Sequence, residues 1–328
     1  MEVAQITYRL FDKKDLPGIL SLWENFSGWG GISKKQFNDW YLNIPGGPSL
    51  IIVATNGEDE VIGQLVFVPA KVFLCGNKVK ALRLSAPILH KDFRQTDLRN
   101  NEHPAFMMIK TGCEIAQKQG YSLLYGLPAH GWIGLLKLFP RFGLPDVEMT
   151  TWGCSSISLK NEMIWEQSNK ENFSTSIGTS FDESYNKLWE TAVSNFPVQC
   201  GVVRNAPRLQ WKISRHLVIE VKKENELLGY AAYKKADGLL VDILAGNVKD
   251  LKKVLLASIK ALHHKNENRY AFPLEEIKLM RSPHIVPLLK EIDHSNIDFQ
   301  FAFGCYPLQA AIAKDAILPE RWYIMPDD

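Results

Sequence analysis

Two ten-residue stretches, about half a chain apart, share one pattern and constrain the fold more than any other feature. EDEVIGQLVF begins at Glu58 and ENELLGYAAY begins at Glu224, an offset of 166 positions in a chain of 328 residues. Each contains acidic residues, two aliphatic residues, a glycine and an apolar segment that ends in an aromatic residue. Apolar runs around an acidic turn that contains Asn are typical of a β-hairpin. The pattern therefore predicts one hairpin written twice, and a chance likeness of two hairpins is the alternative.

The segments around the two hairpins follow one order, which extends the similarity. Residues 6–11 are rich in apolar residues and favour a strand, and residues 16–23 show helical spacing. After the first hairpin come another strand, an amphipathic helix that Gly120 ends, and a short buried strand at 121–128. The second half repeats a helix, a hairpin, a strand and a helix. This order predicts a divergent tandem repeat.

The expected fold class is α/β (α+β), with two tandem units that each contain a mixed, mostly antiparallel sheet flanked by helices. The N-terminal unit is expected over 1–160 and the C-terminal unit over 181–328. Residues 161–180 are rich in Asn, Ser, Glu and Thr, which predicts a connector between the units.

Composition narrows the classes of function. Hydrophobic residues make up 46% of the chain and charged residues 23%, as in ordinary globular proteins. Lys and Arg number 38 against 36 Asp and Glu, so nucleic acid is not the expected partner. The five cysteines form no C-x-x-C pair, and neither a signal peptide nor a membrane-spanning run is visible. We therefore expect a cytoplasmic protein without a metal site or a membrane partner, and its oligomeric state stays open.

A series of short motifs is similar to one enzyme superfamily. In the first half these are Trp40-Tyr41, the NIPGG stretch, Val61-Ile62-Gly63, the YGLP stretch and the FGL stretch, in that order. The second half adds Arg204 and the LQWK stretch before its hairpin. This order resembles the GCN5-related N-acetyltransferase (GNAT) superfamily, and in particular the tandem GNAT proteins of bacteria.

The resemblance implies an acyl-CoA site in the N-terminal unit. In the superfamily the fourth strand separates from the fifth, and the next loop presents N–H groups to the pyrophosphate at a helix N-terminus. Here the loop lacks the superfamily's glycines, and Asp97 stands where an anion would lie. The cofactor-binding residues implied are Ile88, Leu89, His90, Phe93, Arg94, Gln95, Thr96, Asp97, Leu98 and Arg99.

The resemblance also implies a catalytic acid and a catalytic base. Many members place a tyrosine four residues before the glycine of the FG motif, but Phe139 occupies that position and cannot donate a proton. His90 and His130 follow strands and are candidate bases, because histidine titrates near neutral pH. Tyr125 is a candidate acid. A surface histidine at a strand end, or a core aromatic residue on a strand, is the structural alternative for each.

Three aromatic residues are candidates for substrate binding: Trp29, in the SGWGG loop, and Trp40 and Tyr41. The second unit, with a single glycine in its corresponding loop, is expected to be structural and to help shape the acceptor groove. The expected function is transfer of an acyl group from acetyl-CoA to the amine of a small molecule or peptide. A degenerate, non-catalytic binding module and a FemABX-like aminoacyl transferase are the alternatives.

Overall fold

A computed structural model describes most of the chain. It covers residues 6–94, 102–128, 133–144, 146–160, 173–196, 199–267 and 274–328, with the side chains of 264–267 excepted. The chain divides into two compact units. The first comprises residues 1–72, 77–149 and 303–319, and the second comprises 73–76, 150–302 and 320–328. No helix in the described ranges has the length and apolar character needed to cross a membrane.

The described chain contains strands and helices, and several strands follow one another directly, as they do within 50–89 and within 217–245. The strands are β1 (Thr7–Leu10), β2 (Leu50–Thr55), β3 (Val61–Leu74), β4 (Asn77–Leu89), β5 (Leu123–Gly126), β6 (Glu148–Ser158), β7 (Ser174–Ile177), β8 (Cys200–Val202), β9 (Leu217–Lys223), β10 (Glu226–Tyr233), β11 (Leu240–Ala245), β12 (Glu276–Met280), β13 (Ser295–Pro307) and β14 (Trp322–Tyr323). The helices are α1 (Leu16–Phe26), α2 (Lys34–Phe37), α3 (Lys91–Arg94), α4 (Pro104–Lys118), α5 (Ile133–Leu136), α6 (Glu183–Asn195), α7 (Ala206–Lys212), α8 (Val248–Glu267) and α9 (Val286–Leu289).

In the first unit, the strands follow the order β1-β2-β3-β4-β5, and β13 pairs with β5 through its residues 304–307. The pairs β1–β2 and β2–β3 are antiparallel, whereas β4 and β5 are parallel. Helix α4 packs on this sheet at close range, because a Cβ at Gly112 would lie only 2.2 Å from the ring of Phe67. Gly120 ends the helical segment with a left-handed φ of 76°.

The second unit contains an antiparallel sheet in the order β11-β10-β9-β7. The pair β12–β6 is antiparallel and the pair β14–β8 is parallel. Helix α6 begins after Asp182, whose carboxylate accepts a hydrogen bond from the Ser184 N–H at 2.9 Å. One buried apolar face of α8, including Leu251, Leu255 and Ile259, packs in the core of this unit.

The expected class, a mixed α/β protein with a mostly antiparallel sheet and flanking helices, is confirmed. The two hairpins also form where the sequence predicts them, as β2–β3 and β9–β10. The unit boundaries differ from the predicted 1–160 and 181–328. Most of β6 belongs to the second unit, because it pairs with β12, and 303–319 belongs to the first, because the end of β13 pairs with β5. Of the predicted connector, 161–172 lies outside the described residues.

Candidate functional site

The parallel strands β4 and β5 pair over only three positions. Ala81, Leu82 and Arg83 stand in register with Leu123, Leu124 and Tyr125, and no further pairing follows within the described parts of the two strands. Ala86 has a φ of 46°, a conformation that L-residues other than glycine seldom adopt. The next residue, Pro87, has no N–H to donate to a neighbouring strand. The regular path of β4 is therefore broken shortly after it leaves β5.

A buried glutamine is hydrogen-bonded to this irregular point of β4. Gln64 lies on β3 with a fully buried side chain, and its Nε2 donates to the Ala86 carbonyl oxygen at 3.3 Å. A left-handed alanine costs free energy and persists only where its surroundings hold it. The Gln64 amide contributes to holding it, because it binds the carbonyl whose direction the unusual backbone conformation sets.

A cavity of about 290 Å³ lies where the two strands separate. Its walls come from both strands, from helical segments and from the end of β13, all within the first unit. The described lining residues are Trp23, Trp29, Tyr41, Arg83, Leu84, Ser85, Ala86, Pro87, Leu124, Tyr125, Gly126, Leu127, Pro128, Leu136, Phe139, Val147, Gly304 and Tyr306.

One wall of the cavity is aromatic. Trp23 of α1 is 5% exposed, and its ring centroid lies 5.8 Å from that of Trp29 and 6.4 Å from that of Tyr41. Trp29 is 59% exposed, so it forms the solvent edge of this wall. Tyr41 lies in a π-helical turn, Asn38–Leu42, where the widened backbone repeat changes the side-chain directions that an α-helix would impose. This wall can bury the flat face of an apolar group.

Further inside, the cavity ends on residues of the unit's core. Phe139 is fully buried, and its ring meets the Tyr306 ring edge-on at 5.9 Å. The Tyr306 hydroxyl is hydrogen-bonded to the Cys113 thiol of α4. Burial raises the pKa of both groups, that of Cys113 to about 12, so both are protonated at neutral pH.

The cavity carries little charge. Arg83 is the one charged side chain among the described lining residues, and none of them is an Asp, a Glu or a His. The described lining is therefore mostly apolar, which favours ligands with apolar surface.

The predicted site residues divide into separate groups. Tyr125, Trp29 and Tyr41 all line the cavity, whereas Trp40 is not among the described lining residues and its ring lies 6.3 Å from the Trp23 ring. Ile88 and Leu89 are buried at the end of β4. Outside the described residues lie His130 and the loop segment 95–99, which contains Gln95, Thr96, Asp97, Leu98 and Arg99.

His90 and Phe93 line a different space, an open polar groove of about 800 Å³ beside α1. The His90 ring lies 4.3 Å from the Phe26 ring, and its Nδ1 lies 3.6 Å from the Asp92 carboxylate. The His90 N–H donates to the Ile62 carbonyl at 2.8 Å, which ties the end of β4 to β3. His90 therefore does not line the cavity that contains Tyr125.

Arg94 holds two parts of the backbone together. Its Nε donates to the Leu89 carbonyl at 2.7 Å, and its Nη2 donates to the Phe26 carbonyl. These bonds join the end of β4 to the end of α1. The guanidinium thus already has acceptors at the position where the resemblance implies a phosphate contact.

The first N–H groups of α4 also have partners within the protein. The Ala105 N–H donates to Nδ1 of His103 at 3.2 Å, and those of Phe106 and Met107 reach the His103 carbonyl at 3.0 and 3.1 Å. Pro104 has no N–H. The first N–H groups of α4 are therefore hydrogen-bonded to the capping residue, His103.

Several cavity residues were not predicted from the sequence. Pro87 within a run of strand residues is a signal for a broken or edge strand, and it could have located the irregularity. The helical spacing of residues 16–23 predicts that Trp23 lies on a helix, but it gives no sign that Trp23 lines a cavity. Tyr306 lies about 180 positions after Tyr125, and no local pattern links the two.

Structural comparisons identify similar folds, although no family model and no curated protein sequence matches the chain. A GCN5-related N-acetyltransferase from Anabaena variabilis aligns over 93% of this chain and 73% of its own, with a TM-score of 0.67 and 11% identity. One from Kribbella flavida aligns over 92% and 71%, with a TM-score of 0.59 and 10% identity. Saccharomyces cerevisiae N-myristoyltransferase with bound myristoyl-CoA aligns over 93% and 85%, with a TM-score of 0.58 and 12% identity. The chain therefore has the GNAT fold.

Proposed function

We propose that this chain, which has the GNAT fold, transfers an acyl group from an acyl-CoA thioester to an amine. The observation that carries the proposal is the separation of β4 and β5 beyond Arg83 and Tyr125, with a cavity in the opening. Separated parallel strands leave backbone groups that an extended ligand can pair with, as a β-strand would. The proteins of similar fold include N-acetyltransferases and one with bound myristoyl-CoA, which supports a CoA thioester as donor. Acetyl is the donor group that we propose.

The reaction needs no covalent enzyme intermediate. The amine attacks the thioester carbonyl carbon directly, and backbone N–H groups polarise the carbonyl oxygen as negative charge develops on it. Tyr125 is the proposed proton donor to the departing thiolate, because of the two acid–base candidates in the described residues, His90 and Tyr125, it is the one that lines the cavity. His130 stays a candidate base.

Titration calorimetry with acetyl-CoA, and with CoA as a control, tests the proposal. We expect micromolar binding, and we expect Ala86→Trp to abolish it because the indole fills the cavity beside the broken strand. Ser21→Trp is the matched control, since Ser21 lines the separate polar groove and the same added bulk there leaves the cavity open. If acetyl-CoA binds neither the unaltered chain nor the Ser21→Trp control, the proposal is contradicted.

A non-catalytic binding module is the second candidate, and a specific observation favours it. Arg94 and the first N–H groups of α4 already bond to the protein itself, so they offer no obvious pyrophosphate site. This reading predicts that apolar carboxylates bind in the cavity while acyl-CoA thioesters give neither heat nor thermal shift. If apolar carboxylates bind and neither CoA nor acyl-CoA binds, the non-catalytic binding module is established.

A further inference from the structure

We infer that Trp29 is a lid that closes over the cavity and makes the site selective for amines that carry an aromatic ring. The inference rests on the proposed function, concerns the same cavity and names the class of acceptor. It follows from the exposure of the indole, from the turn that carries it and from the rings beside it.

The Trp29 indole has apolar surface that a ligand can cover. It is 59% exposed, whereas Trp23 and Tyr41, which line the same cavity, are 5% and 6% exposed. Among the large apolar side chains that are exposed in the described ranges, Trp29 is the one that borders the cavity. A ligand that covers the indole removes apolar surface from water, which favours binding. Much of the burial of this indole is therefore left for a ligand to supply.

The turn that carries Trp29 can change direction at its glycines. Gly28 and Gly30 have left-handed φ angles of 75° and 89°, and a Cβ at either would meet no atom of the described chain within 4 Å. The Ser27 Oγ accepts from the Trp29 N–H at 2.9 Å and donates to the Gly30 carbonyl at 3.2 Å, which keeps 27–30 together as a compact turn. Glycine adopts many backbone conformations without strain, so this turn can swing as a unit and carry the indole over the cavity.

The ring toward which Trp29 closes is held in place. The Trp23 and Trp29 ring centroids lie 5.8 Å apart, and the ring planes are tilted by 50°. Trp23 is itself packed against Trp40 and Tyr41, with ring centroids at 6.3 and 6.4 Å. Rings tilted in this way are not stacked on each other, so the ring of a ligand can lie against either indole. An aromatic ligand gains edge-to-face or offset-stacked contacts there that a saturated ring of the same size does not make.

The elements that carry these rings indicate which reactant they serve. Trp23 comes from α1, Trp29 from the loop after it and Tyr41 from the π-helical turn, whereas the thioester is proposed to pair with the backbone of β4 and β5. The aromatic wall is then left for the amine. A cavity of about 290 Å³ is at the small end for ligand sites, so the acceptor is a compact amine with one aromatic ring.

Transfer to such an amine needs no further reactant. The nitrogen lone pair forms the C–N bond at the thioester carbonyl carbon, the C–S bond breaks and its electron pair leaves on sulfur. The CoA thiolate gains a proton as the nitrogen loses one, so the products are the N-acyl amine and free CoA.

Two amines of similar size separate the contribution of the aromatic ring from that of apolar area. The purified full chain with acetyl-CoA is given phenethylamine or 2-cyclohexylethylamine, and thiol release and product mass are measured. We expect kcat/KM for phenethylamine to be about tenfold higher, because only its ring makes aromatic contacts with the indoles. Trp29→Ala should bring that ratio close to one, mainly by raising KM for phenethylamine, and Trp29→Phe should retain part of it. The ratio is an internal control, since partial misfolding lowers both rates together.

Phe299→Ala is the matched control for these variants. Phe299 is 54% exposed and is not among the described lining residues, so its replacement removes an exposed aromatic side chain away from the cavity. We expect the ratio of the two kcat/KM values to stay as it is in the unaltered chain. A ratio that falls as far in Phe299→Ala as in Trp29→Ala overturns the assignment to Trp29.

A fluorescence measurement tests the closure itself. The chain has nine tryptophans, so the emission of Trp29 is obtained as the difference between the unaltered chain and Trp29→Phe. We expect phenethylamine to reduce the quenching of this difference by acrylamide, because closure covers the indole, and 2-cyclohexylethylamine to reduce it less. If phenethylamine is the preferred acceptor but the quenching does not change, Trp29 is a fixed wall and the closure is overturned.

The same measurement, made without acyl-CoA and with CoA, separates this inference from the proposed function. If phenethylamine protects Trp29 while no acyl-CoA binds or reacts, the lid and the ligand class stand and the transferase function fails. If both amines react with similar kcat/KM, in the unaltered chain as in Trp29→Ala, the function stands and the inference is overturned. If long-chain acyl-CoA protects Trp29 and phenethylamine does not, the aromatic wall belongs to the acyl group, which also overturns the inference. Neither protection nor transfer overturns both.

Discussion

Each unit of the chain contains a place where two parallel segments pair only briefly, and the surroundings of the two places differ. In the first unit β4 and β5 separate after three paired positions, and β4 lines a cavity of about 290 Å³ that has one charged residue in its described lining. In the second unit one isolated parallel bridge is present in the described residues between two such segments, and it joins Leu239, just before β11, to Lys278 on β12. Beside β11 the space is about 10 Å³, and charged groups line it. One arrangement leaves space for a ligand, whereas the other is filled by the protein's own ions.

The ions of the second unit form a closed network around one arginine. Arg204 Nε lies 2.9 Å from the Asp242 carboxylate on β11, and its Nη2 pairs with Asp328. The Tyr230 hydroxyl donates to Asp242 at 2.8 Å, and the guanidinium carbon lies 4.8 Å from the centre of the Tyr323 ring. These buried groups satisfy one another, so the network holds together β11 and the segments that carry its partners. We therefore propose a structural role for the second unit, and the tandem repeat itself stays a prediction.

Removing the central cation should produce the largest effect on stability. Arg204→Met leaves Asp242 and Asp328 buried without their cation, which is expected to cost about 3–5 kcal/mol. Urea unfolding followed by circular dichroism measures the change. Arg215→Met is the matched control: Arg215 pairs with Asp327 but is 43% exposed, and such a pair contributes at most about 1 kcal/mol.

A double variant sharpens this test. Arg204→Met with Asp242→Leu removes the arginine and one of its two carboxylate partners, and it should recover part of the lost stability because Asp328 is then the one carboxylate of the pair left without its cation. Equal losses for Arg204→Met and Arg215→Met would show that the network does not stabilise the second unit as the comparison requires.

The matched glycines of the two hairpins should also differ in their tolerance to a side chain. A Cβ at Gly229 would lie 2.3 Å from the Leu244 carbonyl oxygen, which is backbone and cannot move alone. A Cβ at Gly63 would meet side-chain ends, Leu89 Cδ1 at 2.9 Å and Met108 Cε at 3.2 Å, and these can rotate. We expect Gly229→Ala to destabilise by about 1–3 kcal/mol more than Gly63→Ala. Thermal unfolding of the two variants measures the difference, and equal midpoints would show that the two hairpins are constrained alike.

Local patterns predicted much of the fold but only part of the site. The hairpins, α4 and the short strand β5 follow from alternation, helical spacing and turn residues, which are encoded within each segment. The cavity combines residues far apart in the chain, such as Trp23, Arg83 and Tyr306, and no segment alone encodes their proximity. His90 was expected at the site because it follows β4, but it lines the separate polar groove beside α1. Tyr125 was a candidate on a short buried strand that the sequence encodes locally, and its pairing with β4 and β13 was not predicted.

The smallest expected effect concerns how the two long helices begin. Asn247 caps α8, accepting from the Asp250 N–H at 3.0 Å, and an amide side chain does not titrate. His103 caps α4 through Nδ1, which must be unprotonated to accept from Ala105. Burial lowers the pKa of His103 in the fold, so the folded state resists protonation more than the unfolded state does. This contribution is complete above the unfolded pKa of about 6.5 and is lost as the pH falls below it.

Replacing that cap isolates the pH effect. His103→Asn keeps an N-cap acceptor without a titrating group, so its stability should change less than that of the unaltered chain between about pH 7.5 and 5.5. The difference should not exceed about 1 kcal/mol, the usual worth of an N-cap. Amide hydrogen exchange, corrected for the intrinsic rate, shows where the pH effect acts. At the lower pH, residues 104–118 should lose protection in the unaltered chain but not in the variant. Helix α8 is the control and should change equally in both proteins. Equal loss in 104–118 of both proteins would mean that another titrating group, and not the His103 cap, sets the acid sensitivity of α4.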